Sequence, residues 1–139
     1  MVNFIRETLE EKIVNGLPGK VIPVEIPESL DNYKLSHPIG SYLLIYNKSV
    51  YTRKKVQNII AQDRDMEIMV VAACRYRNDF TPLEYVDFAI KSLSGLELEN
   101  NRTDRKVYCI SDEFLKEENG VWWYAINFII PGEFTEQRN

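Results

Sequence analysis

The chain has 139 residues, 45% of them apolar, which is enough for one domain with a hydrophobic core and too apolar for a disordered chain. Seventeen basic against twenty-one acidic residues give a net charge of −4, which argues against a dedicated nucleic-acid binder. No run of eighteen apolar residues is present, and the first ten residues carry Glu7 and Glu10 where a secretory signal carries basic and apolar residues, so a soluble intracellular protein with no membrane partner is expected.

Residues 3–16 have helical spacing: Val2, Ile5, Leu9, Ile13 and Leu17 recur at steps of three and four, with Arg6, Glu7, Glu10, Glu11 and Lys12 opposite them. Asn3 suits the N-cap, and Asn15-Gly16 before Pro18 suits the stop. Residues 20–27 alternate as a strand through Ile22, Val24 and Ile26, and Pro23 and Pro27 confine that strand to a sheet edge because they donate no ladder hydrogen bond. A polar connector runs over 28–37 and ends at His37-Pro38.

Residues 40–46 are apolar on both faces and predict an interior strand. Asn47-Lys48-Ser49 then predicts a turn, and residues 53–62, with Arg53, Lys54 and Lys55 and no convincing periodicity, predict a loop. The clearest central strand is 66–76: Met66, Ile68, Val70, Ala72, Cys74 and Tyr76 line one face, Met69, Val71 and Ala73 the other. The small residues at 72 and 73 leave room for a helix packed close above them.

Thr81-Pro82-Leu83-Glu84 has the form of a capping box with proline at the first helical position. Val86, Ala89, Ile90 and Leu93 supply its buried stripe, and Gly95 stands where a left-handed C-cap belongs. After a charged loop over 97–105, a strand begins at 107–110 and continues, interrupted, to about Leu115. Asn119-Gly120 predicts a tight hairpin turn into a last strand over 121–130, with Trp122, Tyr124, Ile126, Phe128 and Ile130 on one face. Trp122 belongs to the core, and Trp123, on the other face, is open between core and interface.

The elements sum to an α+β domain over residues 1–132: a largely antiparallel mixed sheet of four to five strands with two helices packed on one face, in the order α-β-β-β-α-β-β, followed by a polar tail over 133–139.

Residue types that carry chemistry are sparse. The single histidine, His37, has no partner nearby in sequence. Asp63, Asp65 and Glu67 share one face if their segment is a strand, which suits either a hard cation or a solvated strand entrance. Cys74 and Cys109 lie in apolar segments without metal-ligand spacing and are expected as reduced thiols. Neither glycine-rich phosphate-binding pattern occurs, and Asn47-Lys48-Ser49 and Asn101-Arg102-Thr103 mark turns, not glycosylation sites. No enzyme activity, cofactor or metal is expected.

The ordered segments His37-Pro38-Ile39-Gly40-Ser41-Tyr42-Leu43-Leu44-Ile45-Tyr46, Gln62-Asp63-Arg64 before a long apolar strand, Leu83-Glu84-Tyr85-Val86-Asp87 through Leu93-Ser94-Gly95-Leu96, and Gly120-Val121-Trp122-Trp123-Tyr124 resemble those of the phage Mu-like minor tail proteins. These are grouped with the tail terminators of contractile-tailed phages, and the similarity runs over roughly residues 1–132. The resemblance implies a non-enzymatic virion tail protein that passes through the host cytoplasm during assembly. It would form a ring, a hexamer in that family, that stops growth of the tail tube and receives the head connector. Its partners would be other copies, the tube and sheath proteins and the connector, with DNA only in passage through the lumen. A net negative subunit suits such a lumen, because fixed cations would hold phosphate.

A ring needs two different patches that meet between neighbours. Tyr51, Arg53, Lys54 and Lys55, the edge strand near Val24, and Trp123 are the candidate residues for subunit or tube contact. The competing expectations are a small metal-dependent hydrolase using His37, Asp63 and Asp65, and a monomeric interaction module.

Overall fold

The computed structural model describes residues 7–8, 11, 20–24, 40–56, 59–76, 81–96 and 106–137. Its elements are β1 (Lys20–Val24), β2 (Gly40–Val56), β3 (Ile59–Arg75), α1 (Pro82–Leu93), β4 (Tyr108–Glu118) and β5 (Val121–Gln137). The strands form one sheet in the order β1-β2-β3-β5-β4. β1 runs parallel to β2, and the other four strands pair antiparallel.

The fold is mostly β, which corrects the expected α+β arrangement of two helices on one face. Among the described residues α1 is the one complete helix. Of the helix expected over 3–16, Glu7, Thr8 and Glu11 are described and have helical backbone, and the rest lies outside the described residues. The strands are also longer than their apolar stretches. Residues 53–56 and 59–62, expected as a loop, are the paired ends of β2 and β3. Residues 133–137, expected as part of a tail, continue β5 alongside residues 59–63. No sign of these extensions shows in the sequence, because its apolar alternation does not run through them.

The middle of the sheet is buried on both faces. On one, Tyr42, Leu44, Met66, Ile68, Val70, Ala72, Cys74, Ile126, Phe128 and Ile130 pack with Tyr85, Val86, Ala89 and Leu93 of α1. On the other, Leu43, Ile45, Val71, Ala73, Val121 and Trp123 form a second cluster. Ala72 thus lies on the α1 face and Ala73 on the opposite one.

Helix α1 starts as its sequence demands. Thr81 Oγ1 accepts from the Glu84 backbone N–H at 3.3 Å, and Pro82 occupies the first turn, where its missing N–H costs nothing. The Glu84 carboxylate takes a hydrogen bond from the Thr81 hydroxyl itself, also at 3.3 Å. At the other end Gly95 adopts φ +82° and donates to the Val107 carbonyl at 2.7 Å, turning the chain toward β4. The helix is fixed to the sheet by Tyr42 and Tyr85. Their rings stack at 4.2 Å between centroids, and the buried Tyr42 hydroxyl donates to the Tyr85 carbonyl at 2.6 Å.

Candidate interaction surface

Strands of 17 residues rise about 3.3 Å per residue, so β2, β3 and β5 extend on the order of 55 Å. The 12 residues of α1 cover only about 18 Å of that length. Past Ile45, β2 presents exposed side chains at Tyr46, Asn47, Lys48, Val50 and Tyr51, while Ile68 and Met66, opposite Tyr46 and Ser49 on β3, stay buried in the core on the α1 face; the paired strands continue beyond them as an arm.

The expected turn at Asn47-Lys48-Ser49 is instead a β-bulge. Tyr46 pairs with Ile68 and Lys48 with Glu67, leaving Asn47 as the extra residue in a strand that continues. Cross-strand polar contacts brace the arm. Asn47 Nδ2 donates to Glu67 Oε1 at 3.0 Å, and Lys48 Nζ lies 3.9 Å from Glu67 Oε2. The Tyr46 and Ser49 hydroxyls share a hydrogen bond of 2.7 Å, and Arg64 Nε donates to Ser49 Oγ at 3.2 Å. The Ser49 hydroxyl, with Arg64 beside it, holds the Tyr46 phenol below its ordinary pKa. The Arg64 guanidinium also stands 5.8 Å from the centroid of the Tyr51 ring. Exposed contacts of this kind are individually weak, and they add to the register that buried Met66 and Ile68 set on the same stretch of β3.

Most of the candidate contact residues gather here. Tyr51 pairs with Arg64, and Arg53, Lys54 and Lys55 occupy the positions opposite Gln62, Ala61 and Ile60 toward the end of the arm. Val24 ends the edge strand β1 opposite Ile45, at the base of the same arm. Trp123 does not join them. It is 5% exposed, packs in the second cluster with Leu43, Ile45, Val71, Ala73 and Val121, and carries Lys116 Nζ 4.9 Å from its ring centroid. As a surface contact residue it is corrected: it is core, because both faces of the sheet are covered at that position.

The strand expected from 107 to about Leu115 is β4, and what sequence reasoning missed is its exposure at the sheet edge. β4 is the last strand of the sheet, and every residue in it except the half-buried Cys109 is exposed. Two bulges interrupt its pairing with β5. Cys109 pairs with Phe128 and Ser111 with Asn127; Phe114 pairs with Tyr124 and Lys116 with Trp123. The two extra residues are Ile110 and Leu115, both apolar and both exposed. Phe114 is 52% exposed although its ring meets those of Trp122 and Tyr124 at 5.8 and 5.5 Å between centroids. The sequence signal was the broken alternation of Tyr108, Ile110, Phe114 and Leu115, which is what a twice-bulged strand produces.

Of the hydrolase expectation, Asp63 and Asp65 stand two residues apart on β3. Asp65 pairs with Val50, Asp63 with Thr52, Glu67 is engaged by Asn47 and Lys48, and His37 lies outside the described residues. Among the described residues no group of three or more metal-ligating side chains occurs, and no helix is long and apolar enough to cross a membrane.

No curated protein matches the chain. Its long-stranded sheet and exposed arm belong to a sequence that matches the Gp37 protein family over residues 12–139, nearly the whole chain, and the protein is therefore a member of that phage-derived family.

Proposed function

We propose that this chain is a structural protein of a phage-type tail, which closes the tail tube as a ring, ends its polymerisation and presents a surface for joining to the head. The observation that carries the reading is the extended sheet: three paired strands continue beyond the length the helix covers, and β2 presents exposed Tyr46, Lys48, Val50 and Tyr51 before Arg53, Lys54 and Lys55 in sequence. Exposed aromatic and aliphatic side chains on such an extension are suited to contact with other subunits. Membership of the Gp37 family supports the phage setting. The ordered resemblance to Mu-like minor tail proteins supports the tail. In this reading the chain works without catalysis, and DNA meets it only on passing through the ring.

The test is tube growth. Full-length chain added to its cognate tail-tube protein during polymerisation should shorten the tubes and leave extra density at one end in electron micrographs. Tubes of unchanged length with bare ends overturn the proposal.

A further inference from the structure

We propose that Arg64, with Tyr46, Ser49 and Tyr51 around it, forms an anion site on the α1 face of the sheet, and that the site takes one Asp or Glu carboxylate of a partner protein. Register places these residues together. Tyr51 pairs with Arg64, and the next row on that face holds Ser49 and Met66, followed by Tyr46 and Ile68. Met66 and Ile68 are buried in the core shared with α1, so the site adjoins that core. On β5 the position opposite Arg64 is Gly132, which puts no side chain beside the guanidinium.

Arg64 is half-buried, and its charge is balanced by no described carboxylate: the ion pairs among the described residues are Lys48–Glu67 and Lys116–Glu118. Asp65 and Glu67 stand in the alternate rows, with Val50 and Lys48, and so face the other side of the sheet. Asp63 and Glu133 pair with each other in the row beyond. Arg64 Nε donates to Ser49 Oγ, and the terminal amino groups hold the other four of the guanidinium's five N–H donors. The Tyr46 and Ser49 hydroxyls share one hydrogen bond, so one of their two O–H groups is left to donate to a ligand. Ser49 and then Arg64 hold the Tyr46 phenol below its ordinary pKa, the response of a place that favours negative charge. The result is a set of donors beside a buried apolar row, where a charge-assisted hydrogen bond is strengthened.

This chemistry selects a protein carboxylate. A nucleic-acid backbone needs a track of cations at phosphate spacing, and the described rows of this face supply one, on a chain of net charge −4. The flat end of a guanidinium matches the two oxygens of a single carboxylate in a bidentate pair. Tyr46 and Tyr51, 43% and 46% exposed, add the rings that protein interfaces favour.

The assignment concerns ligand chemistry and holds with or without a tail tube. Its test is nuclear magnetic resonance of the full chain, titrated at constant ionic strength with capped glutamate, capped glutamine and inorganic phosphate. The caps, acetyl and amide, leave the side-chain carboxylate as the one charge, as a partner protein would present it. Capped glutamate should shift the Arg64 Nε–H and the amides of Ser49, Tyr51 and Arg64 saturably. It should bind at least about tenfold more tightly than capped glutamine. Arg64→Gln should abolish the response, and Arg64→Lys, which keeps the charge and loses the fork, should weaken binding about tenfold. Lys48→Gln, which removes a cation from the other face, should leave binding unchanged. Backbone resonances that stay in place elsewhere show that each variant is folded. No saturable shift, equal binding of glutamine, binding that survives Arg64→Gln, or phosphate held more tightly than glutamate overturns the proposal. If glutamate binds by these rules while tube length is unaffected, the tail reading fails and this one stands.

Discussion

Replacing Tyr42 by phenylalanine removes one oxygen from the centre of the molecule. In the native chain that hydroxyl is fully buried and donates to the Tyr85 carbonyl at 2.6 Å, which joins β2 to the first turn of α1. A buried hydrogen bond contributes about 1 kcal/mol net, and the small void left behind adds a little, so Tyr42→Phe should cost about 1–2 kcal/mol. Tyr42→Ala also removes the ring stacked on Tyr85 and should cost about 3–5 kcal/mol. Urea unfolding monitored by circular dichroism measures both, as a lower midpoint at unchanged slope. The pH dependence adds a second check. Burial, with the Tyr85 hydroxyl and the Cys74 thiol adding to it, pushes the Tyr42 phenol far above its ordinary value of 10.0. Ionisation is therefore easier in the unfolded chain, and this contribution to stability is complete below pH 10.0 and declines above it. Phenylalanine has no such group, so the gap between native and Tyr42→Phe should narrow above that pH. A phenylalanine variant as stable as the native chain, or a gap that widens with alkali, refutes the reasoning.

Gly40→Ala should destabilise by about 1–3 kcal/mol in the same assay: the added Cβ would stand 2.7 Å from Tyr85 Cζ and 3.0 Å from the Ala73 carbonyl oxygen, and the stacked ring has nowhere to go. Trp123→Ala should cost about 3–5 kcal/mol in the monomer, whereas an interface residue would leave monomer stability nearly intact. A thiol probe applied to the native chain should modify Cys109 first and Cys74 only on unfolding, since Cys109 is half-buried while burial pushes the Cys74 thiol up to about 12. The Cys74 contribution to stability is complete below pH 9.0 and is lost toward pH 12, so Cys74→Ala should flatten the alkaline part of the native stability curve.

What was legible in the sequence was what local chemistry determines. Thr81-Pro82-Leu83-Glu84 and Gly95 bracket α1 because caps act within a few residues of the helix they close. Asn119 and Gly120 turn β4 into β5 with φ of +54° and +81°, a left-handed pair those residue types tolerate. Pro23 kept β1 at the edge, where it pairs with β2 alone. Tyr85 was not anticipated in the buried stripe of α1, where it takes a larger share than the half-buried Ile90, because its polar tip gives no sign of facing Gly40.

The candidate surface was half legible for a related reason. Residues 53–62 lack the two-residue period, yet they are strand, because β3 has partners on both sides and one of them is residues 133–137. No window on the sequence contains both segments, so neither announces its pairing with the other. Trp123 and Phe114 show the complement. Each is a large aromatic in a strand, and residue type alone would rank the tryptophan as the stronger interface candidate. The fold reverses that order: Trp123 sits one strand in, where both faces are covered, and Phe114 sits on the outermost strand. Position in the strand order, not hydrophobicity, decides which aromatic is left exposed, and strand order is a long-range property.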